Sequence, residues 1–152
     1  MPRMRSAIAS LTVALVFAWL AALSCYDIRQ RRLPNRLTLP GAGAILLAAA
    51  SAGRGPPALV GAAALAGMYL LVHLVAPAAM GAGDVKLAIG VGALTGCFGA
   101  EVWFLAALGG PLLTALCGVV ARFRGGAGGT ATVPHGPSMC LASAAAVALA
   151  AL

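Results

Sequence analysis

Ala58-Leu59-Val60-Gly61-Ala62-Ala63-Ala64-Leu65-Ala66-Gly67-Met68-Tyr69-Leu70-Leu71-Val72-His73-Leu74-Val75-Ala76 contains no lysine, arginine, aspartate or glutamate. A helix needs about 20 such residues to cross the hydrocarbon of a bilayer, and this run has that length. Five more apolar runs flank it: 7–26 and 37–53 before, 85–99, 102–121 and 138–152 after. The whole chain, 152 residues, is 62% hydrophobic and 9% charged, with a mean hydropathy of +1.01. Soluble domains carry roughly 25% charged residues. A soluble fold of this length has no interior large enough for so much apolar side chain, so the solvent is lipid. The expected fold is all-α, a polytopic membrane protein of about six transmembrane helices, with residues 1–152 as one membrane-embedded domain. The runs 37–53, 85–99 and 138–152 are short for a crossing, and the fourth is compatible with a broken or re-entrant segment.

The net charge of +7 would raise nucleic acid as a partner in a soluble protein. Here the cations sit in short loops, which makes them topology signals; the lipid bilayer is the expected partner and nucleic acid is not. With alternating segments, Arg29, Arg31, Arg32, Arg36, Lys86, Arg122 and Arg124 fall on one side, and Arg3, Arg5 and Arg54 on the other. The more basic side is expected to be cytoplasmic. Met1 to Arg5 followed by an apolar run also has the outline of a signal peptide, with Ala22-Leu23-Ser24-Cys25 as a weak cleavage box. Cleavage there would export four arginines, against the charge rule.

Asp27, Asp84 and Glu101 are the acidic residues. Asp27 follows the first run, Asp84 precedes the fourth, and both are expected on the cytoplasmic side. Glu101 falls opposite, as a solvated loop charge. Two carboxylates brought to one membrane face can share a proton, activate water and protonate a leaving amine. Asp27 is expected past the C-terminal end of its helix, where the helix dipole disfavours an anion, and Asp84 at an N-terminus, where an anion is favoured. That assigns the proton to Asp27 and the negative charge to Asp84. Capping of the fourth helix by Asp84, and a salt bridge from Asp27 to Arg29, Arg31 or Arg32, are the structural alternatives.

Gly81-Ala82-Gly83-Asp84-Val85-Lys86 is not a nucleotide loop, because the third glycine of G-x-G-x-x-G falls on Lys86 and no strand precedes it. Gly81 and Gly83 are expected to let backbone or substrate come close to Asp84. Leu33-Pro34-Asn35 restarts the chain after the basic loop, with Asn35 as a candidate cap. Pro134-His135-Gly136-Pro137 is a rigid turn before the last run, where unpaired backbone is available for an extended substrate. Gly92 and Gly96 form a G-x-x-x-G pair for close helix packing. Arg122 to Val133 reads as a flexible Gly-rich loop. Cys25, Cys97, Cys117 and Cys140 show no C-x-x-C spacing and read as small packing residues; no metal and no cofactor is expected. His73 is expected as a neutral, hydrogen-bonded histidine, Trp103 as an interfacial anchor and Trp19 as packing. There is no G-x-S-x-G or H-E-x-x-H.

Asp27 with Leu33-Pro34-Asn35, then Gly81 to Lys86, then Pro134 to Pro137, resemble in order and spacing the type IV prepilin peptidases, the bacterial G-x-G-D membrane aspartyl proteases. The G-x-G-D-x-K piece is the most specific. The resemblance implies a six-helix peptidase that removes the leader of class III prepilins at the cytoplasmic face of the inner membrane, in type IV pilus biogenesis. By motif match, Asp27 and Asp84 are its catalytic pair, and Gly81, Gly83, Lys86, Pro134, Gly136 and Pro137 support the site or the substrate. Many members carry an N-terminal domain with paired C-x-x-C motifs, linked to methyltransferase activity. No such motif stands here, so the resemblance is to the short, peptidase-only form of tight-adherence (Flp) pilus systems. An aromatic often occupies the position of His135. The expected partner is a prepilin; a homodimer is compatible with the pattern and not demanded by it. An ion-coupled transporter using the same aspartates, or a non-catalytic subunit of a pilus or secretion machine, are the rival readings.

Overall fold

The computed structural model describes residues 2–124 and 133–151. Among these the chain forms six α-helices: α1 (Pro2–Gln30), α2 (Asn35–Ser51), α3 (Gly55–Val75), α4 (Ala82–Gly96), α5 (Ala100–Arg124) and α6 (His135–Ala150). The apolar runs therefore mark the helices, and the helices start earlier than the runs. Polar residues that read as loop are helical: Asp27 lies inside α1, Asp84 in the first turn of α4, and Arg122 and Arg124 in the last turn of α5. Glu101 is likewise in the first turn of α5, where a carboxylate suits the helix N-terminus. Gly125, Gly126, Gly128 and Gly129, read as a flexible loop, lie outside the described residues.

Three helices, Ser10–Gln30 of α1, α3, and α5, are long and apolar enough to cross a membrane. Their outward faces carry Leu11, Leu15, Leu71, Leu74, Leu108, Leu112 and Leu116, all exposed. Such a surface is unfavourable in water and neutral in lipid. This is an all-α membrane protein.

α4 is the centre of the bundle. Leu87, Ala88 and every residue from Gly90 to Gly96 are buried, against α2, α3, α5 and α6. With 15 residues it spans about 22 Å, less than the hydrocarbon thickness of about 30 Å. It is continuous, not broken. Its closest neighbour is α3. A Cβ on Gly92 would fall on the Gly61 carbonyl oxygen, and one on Gly96 would stand 2.7 Å from the Pro57 carbonyl oxygen. The G-x-x-x-G pair thus sits at the crossing, where only glycine lets the two backbones meet. Trp103, in the first turn of α5, donates its indole N–H to Gly61 O at 3.0 Å, tying α5 to α3. Trp19 lies over Gly41 and Gly90 and donates to Leu37 O at 2.9 Å, joining α1 to α2.

Each reversal has a local cause. α1 stops where Arg31 takes a left-handed conformation (φ 49°) and its N–H turns back to Asp27 O at 2.8 Å; Pro34 then starts α2. Gly53 (φ 73°) and Gly99 (φ 112°) make the α2–α3 and α4–α5 turns, conformations that favour glycine. Arg54 donates to Cys97 O at 3.0 Å, closing the C-terminal end of α4. The four cysteines are unpaired. Cys140 is buried and Cys97 partly so, but Cys25 and Cys117 face outward, so the packing reading fails for those two.

Candidate active site

α1, α4 and α6 deliver Asp27, the Gly81–Lys86 motif and the Pro134–Pro137 turn to one end of the bundle. Asp27 is placed by the last turn of α1 and is only 7% exposed. Its Oδ2 accepts the backbone N–H of Gly136 at 3.1 Å. Gly136 is the second residue of α6, and first-turn amides have no partner inside their own helix. Pro134 occupies the N-cap, and Pro137 has no amide to offer. A Cβ on Gly136 would stand 2.6 Å from the same carboxylate oxygen, so a side chain there is incompatible with the contact. The charge of Arg31, one turn on from Asp27, also acts on this carboxylate.

Asp84 is half-buried in the first turn of α4. It is not the cap: Gly81 holds that position, and the Gly81 amide faces the Asp84 carboxylate. The loop that leads there is fastened by His73, whose Nδ1 lies 2.7 Å from Met80 O. A carbonyl only accepts, so Nδ1 carries the proton. His73 is thus a hydrogen-bonded structural histidine, and its bond fixes the residue before Gly81. A Cβ on Gly83 would meet Leu33 Cβ at 3.3 Å, and Lys86 Nζ donates to Asn35 Oδ1 at 2.8 Å. The Leu33-Pro34-Asn35 stretch therefore packs directly on the Gly83–Lys86 turn. Asn35 does not cap α2, whose N-cap is Pro34 without a side-chain bond; its amide is used on Lys86.

Asp84 and Asp27 are within electrostatic reach. The Asp84 carboxyl is pushed up to about 6, first by burial and then by the Asp27 charge, with the Gly81 amide opposing. Burial works against the anion at Asp27 as well, but there the Gly136 N–H and the nearby Arg31 guanidinium oppose it. With the Gly136 donor on Asp27, and the Asp27 charge acting on Asp84, the arrangement favours the shared proton on Asp84 and the negative charge on Asp27, the reverse of the helix-dipole expectation. The reason is geometric. Asp27 does not lie past its helix end, and the first turn of another helix supplies its donor.

Residues with no sequence motif complete the surroundings. Tyr69 of α3 is buried and lies within reach of the Asp84 charge; its hydroxyl is 2.9 Å from His135 Nε2. Thr114 of α5 is 2.7 Å from His135 Nδ1. Cys140 is buried within reach of both aspartates and of Ser24. Polar groups within apolar spans were the available signal for Tyr69 and Thr114. Among the described residues no three of His, Cys, Asp and Glu come together in a set that would hold a metal.

The sequence model of the Type IV leader peptidase family matches residues 14–121. That stretch holds Asp27, Leu33-Pro34-Asn35 and the Gly81–Lys86 motif, and ends before the Pro134–Pro137 turn. No curated protein and no solved structure matches the chain. With more than two thirds of its length matched, and the motif aspartates gathered at one end of a helical membrane bundle, the chain belongs to the type IV leader peptidase family.

Proposed function

We propose that this protein is an aspartic endopeptidase of the bacterial inner membrane that removes the basic leader from type IV, Flp-like prepilins at the cytoplasmic face. The observation that carries the reading is the unequal pair: a buried Asp27 that accepts the Gly136 N–H, and an Asp84 whose carboxyl is pushed up to about 6. Asp27 takes a proton from water as the water oxygen adds to the scissile carbonyl carbon. Asp84 gives its proton to the carbonyl oxygen. The tetrahedral diol then collapses, the C–N bond breaks, and the proton held by Asp27 goes to the leaving amine. Asp84 recovers its proton from the collapsing diol, which restores the starting pair.

The seven-to-three distribution of cations supports a cytoplasmic site. A prepilin places a basic leader on that side and an apolar helix in the bilayer. Gly81 and Gly83 leave room beside Asp84 for the backbone at the cut. Cysteine labelling at Gln30 in intact cells is expected to need a permeant reagent; labelling by an impermeant one would turn the site outward.

Co-expression with a candidate pilin tests the reading. Asp27→Asn and Asp84→Asn are each expected to abolish cleavage while the protein still accumulates in the membrane. Normal cleavage by either variant removes the aspartyl mechanism. Absence of cleavage by the wild type, with ion flux altered in the two variants, replaces it with a transporter.

A further inference from the structure

His135 makes two side-chain hydrogen bonds to two different helices, and the leaving-group chemistry uses neither. Its Nδ1 lies 2.7 Å from Thr114 Oγ1, and Thr114 Oγ1 itself donates to Gly110 O at 3.0 Å. A hydroxyl has one hydrogen. With that hydrogen on Gly110 O, Oγ1 must accept from His135, so Nδ1 is protonated. In the neutral ring Nε2 is then an acceptor, and Tyr69 Oη, 2.9 Å away, is its donor. The chain of bonds runs Tyr69 O–H to Nε2, Nδ1–H to Thr114, Thr114 O–H to Gly110 O. Every hydrogen has one place, so the ring has one tautomer and one orientation. Burial lowers the ring's proton affinity, in keeping with the neutral form.

The consequence lies one residue on. His135 is the first residue of α6 and Gly136 the second. Among the described residues the Gly136 N–H is the backbone donor to Asp27, and its aim depends on where that first turn sits. The turn follows residues that leave α5 after Arg124, and Pro134 fixes only its entry dihedral. Beyond the packing of Met139 and Cys140, Tyr69 on α3 and Thr114 on α5 tie its first residue sideways to the bundle by side-chain hydrogen bonds.

We propose that His135 is a positioning residue for cleavage: fastened to α3 by Tyr69 and to α5 by Thr114, it seats the first turn of α6 so that the Gly136 amide stays on Asp27 Oδ2. His135 touches neither substrate nor the reacting atoms. It acts through Gly136. The inference rests on the peptidase reading above and goes beyond it, because the motif of the turn needs only its prolines and glycine.

The test uses the full-length protein in nanodiscs with a pilin precursor that the wild type cleaves, and Asp84→Asn as the inactive control. His135→Phe keeps a ring and loses both bonds. Its kcat is expected to fall about 10–100-fold, the scale of a catalytic group displaced by a fraction of an ångström to an ångström, with KM within about twofold and an unchanged melting temperature. His135→Gln, which can still accept from Tyr69, is expected to recover part of kcat. Tyr69→Phe and Thr114→Val are expected to lower kcat singly and to add nothing in the His135→Phe background, as members of one chain do. If His135→Phe does not accumulate, the Tyr69 and Thr114 variants decide by the same split. Wild-type kcat in His135→Phe, or in both single variants, overturns the proposal. So does a loss of kcat that only follows the folded fraction. Because the wild type cuts and Asp84→Asn does not, either failure leaves the peptidase reading intact.

Discussion

The Gly136 amide and the Asp27 carboxylate, 109 positions apart in the chain, meet at 3.1 Å with no room for a side chain between them. Ala is compatible with the helical backbone at 136, so Gly136→Ala leaves the fold and displaces the carboxylate. Loss of a hydrogen bond to a charged group costs about 1.5–3 kcal/mol. Cleavage is expected to slow by about 10–100-fold at constant membrane level. Retention of the wild-type rate, measured as leader removal over time, would separate the turn from the aspartate.

The pH dependence follows from Asp84. Its folded value of about 6 makes it the acid of the pair, so kcat/KM is expected to fall above about pH 6, about tenfold per unit. The kcat limb is expected at higher pH, because a bound substrate buries the carboxyl further. A limb that persists unchanged in a variant with another acid at 84 would belong to a different group.

The same shift predicts a stability change. Asp84 titrates at 3.8 when unfolded and at about 6 when folded. Between these values the folded state binds more protons, so stability falls as pH rises through that window and the cost is complete above it. Asp84→Asn removes the cost. At pH 7 its melting temperature in detergent is expected to match or exceed the wild type, and the difference to vanish below about pH 4.

Lys86 and Asn35 join two motifs through one exposed bond of 2.8 Å. Lys86→Met and Asn35→Ala are expected to lower cleavage only a few-fold each, about what a solvent-exposed hydrogen bond contributes. The double variant is expected to be no worse than the weaker single, since both remove the same contact. Multiplying losses in the double variant would give Lys86 a separate task, such as substrate contact.

Gly92 and Gly67 form a matched pair for the packing argument. Gly92→Val puts atoms onto the Gly61 carbonyl at the α3–α4 crossing and is expected to cost about 1–3 kcal/mol. Gly67 faces open space, so Gly67→Ala is expected to be neutral or to stabilise by about 0.5–1 kcal/mol. Thermal unfolding of both variants reads the contrast.

Helix number, membrane setting and the two aspartates were legible in the sequence for a simple reason. In lipid every backbone group must pair within its own segment, so an apolar run of sufficient length has only a helix to form. Carboxylates are costly there and stand out. The spacing of Gly92 and Gly96 was legible on the same ground, because close backbone approach needs missing side chains.

The arrangement of protons was not. A local reading placed Asp27 beyond its helix and gave it the proton; the bundle places the Gly136 N–H on it and the Asp27 charge within reach of Asp84. Asn35 read as a cap and became the partner of Lys86; the bond from Trp103 to Gly61 O had no local signal. Tyr69 and Thr114 carried no motif at all. Sequence by itself determined which segments are helical and which residues are chemically exceptional, because both follow from local hydrophobicity. Tertiary structure alone decided which donor meets which acceptor. Proton affinity and hydrogen bonding depend on atoms within a few ångströms, and in this bundle those atoms come from all six helices, far apart in the chain.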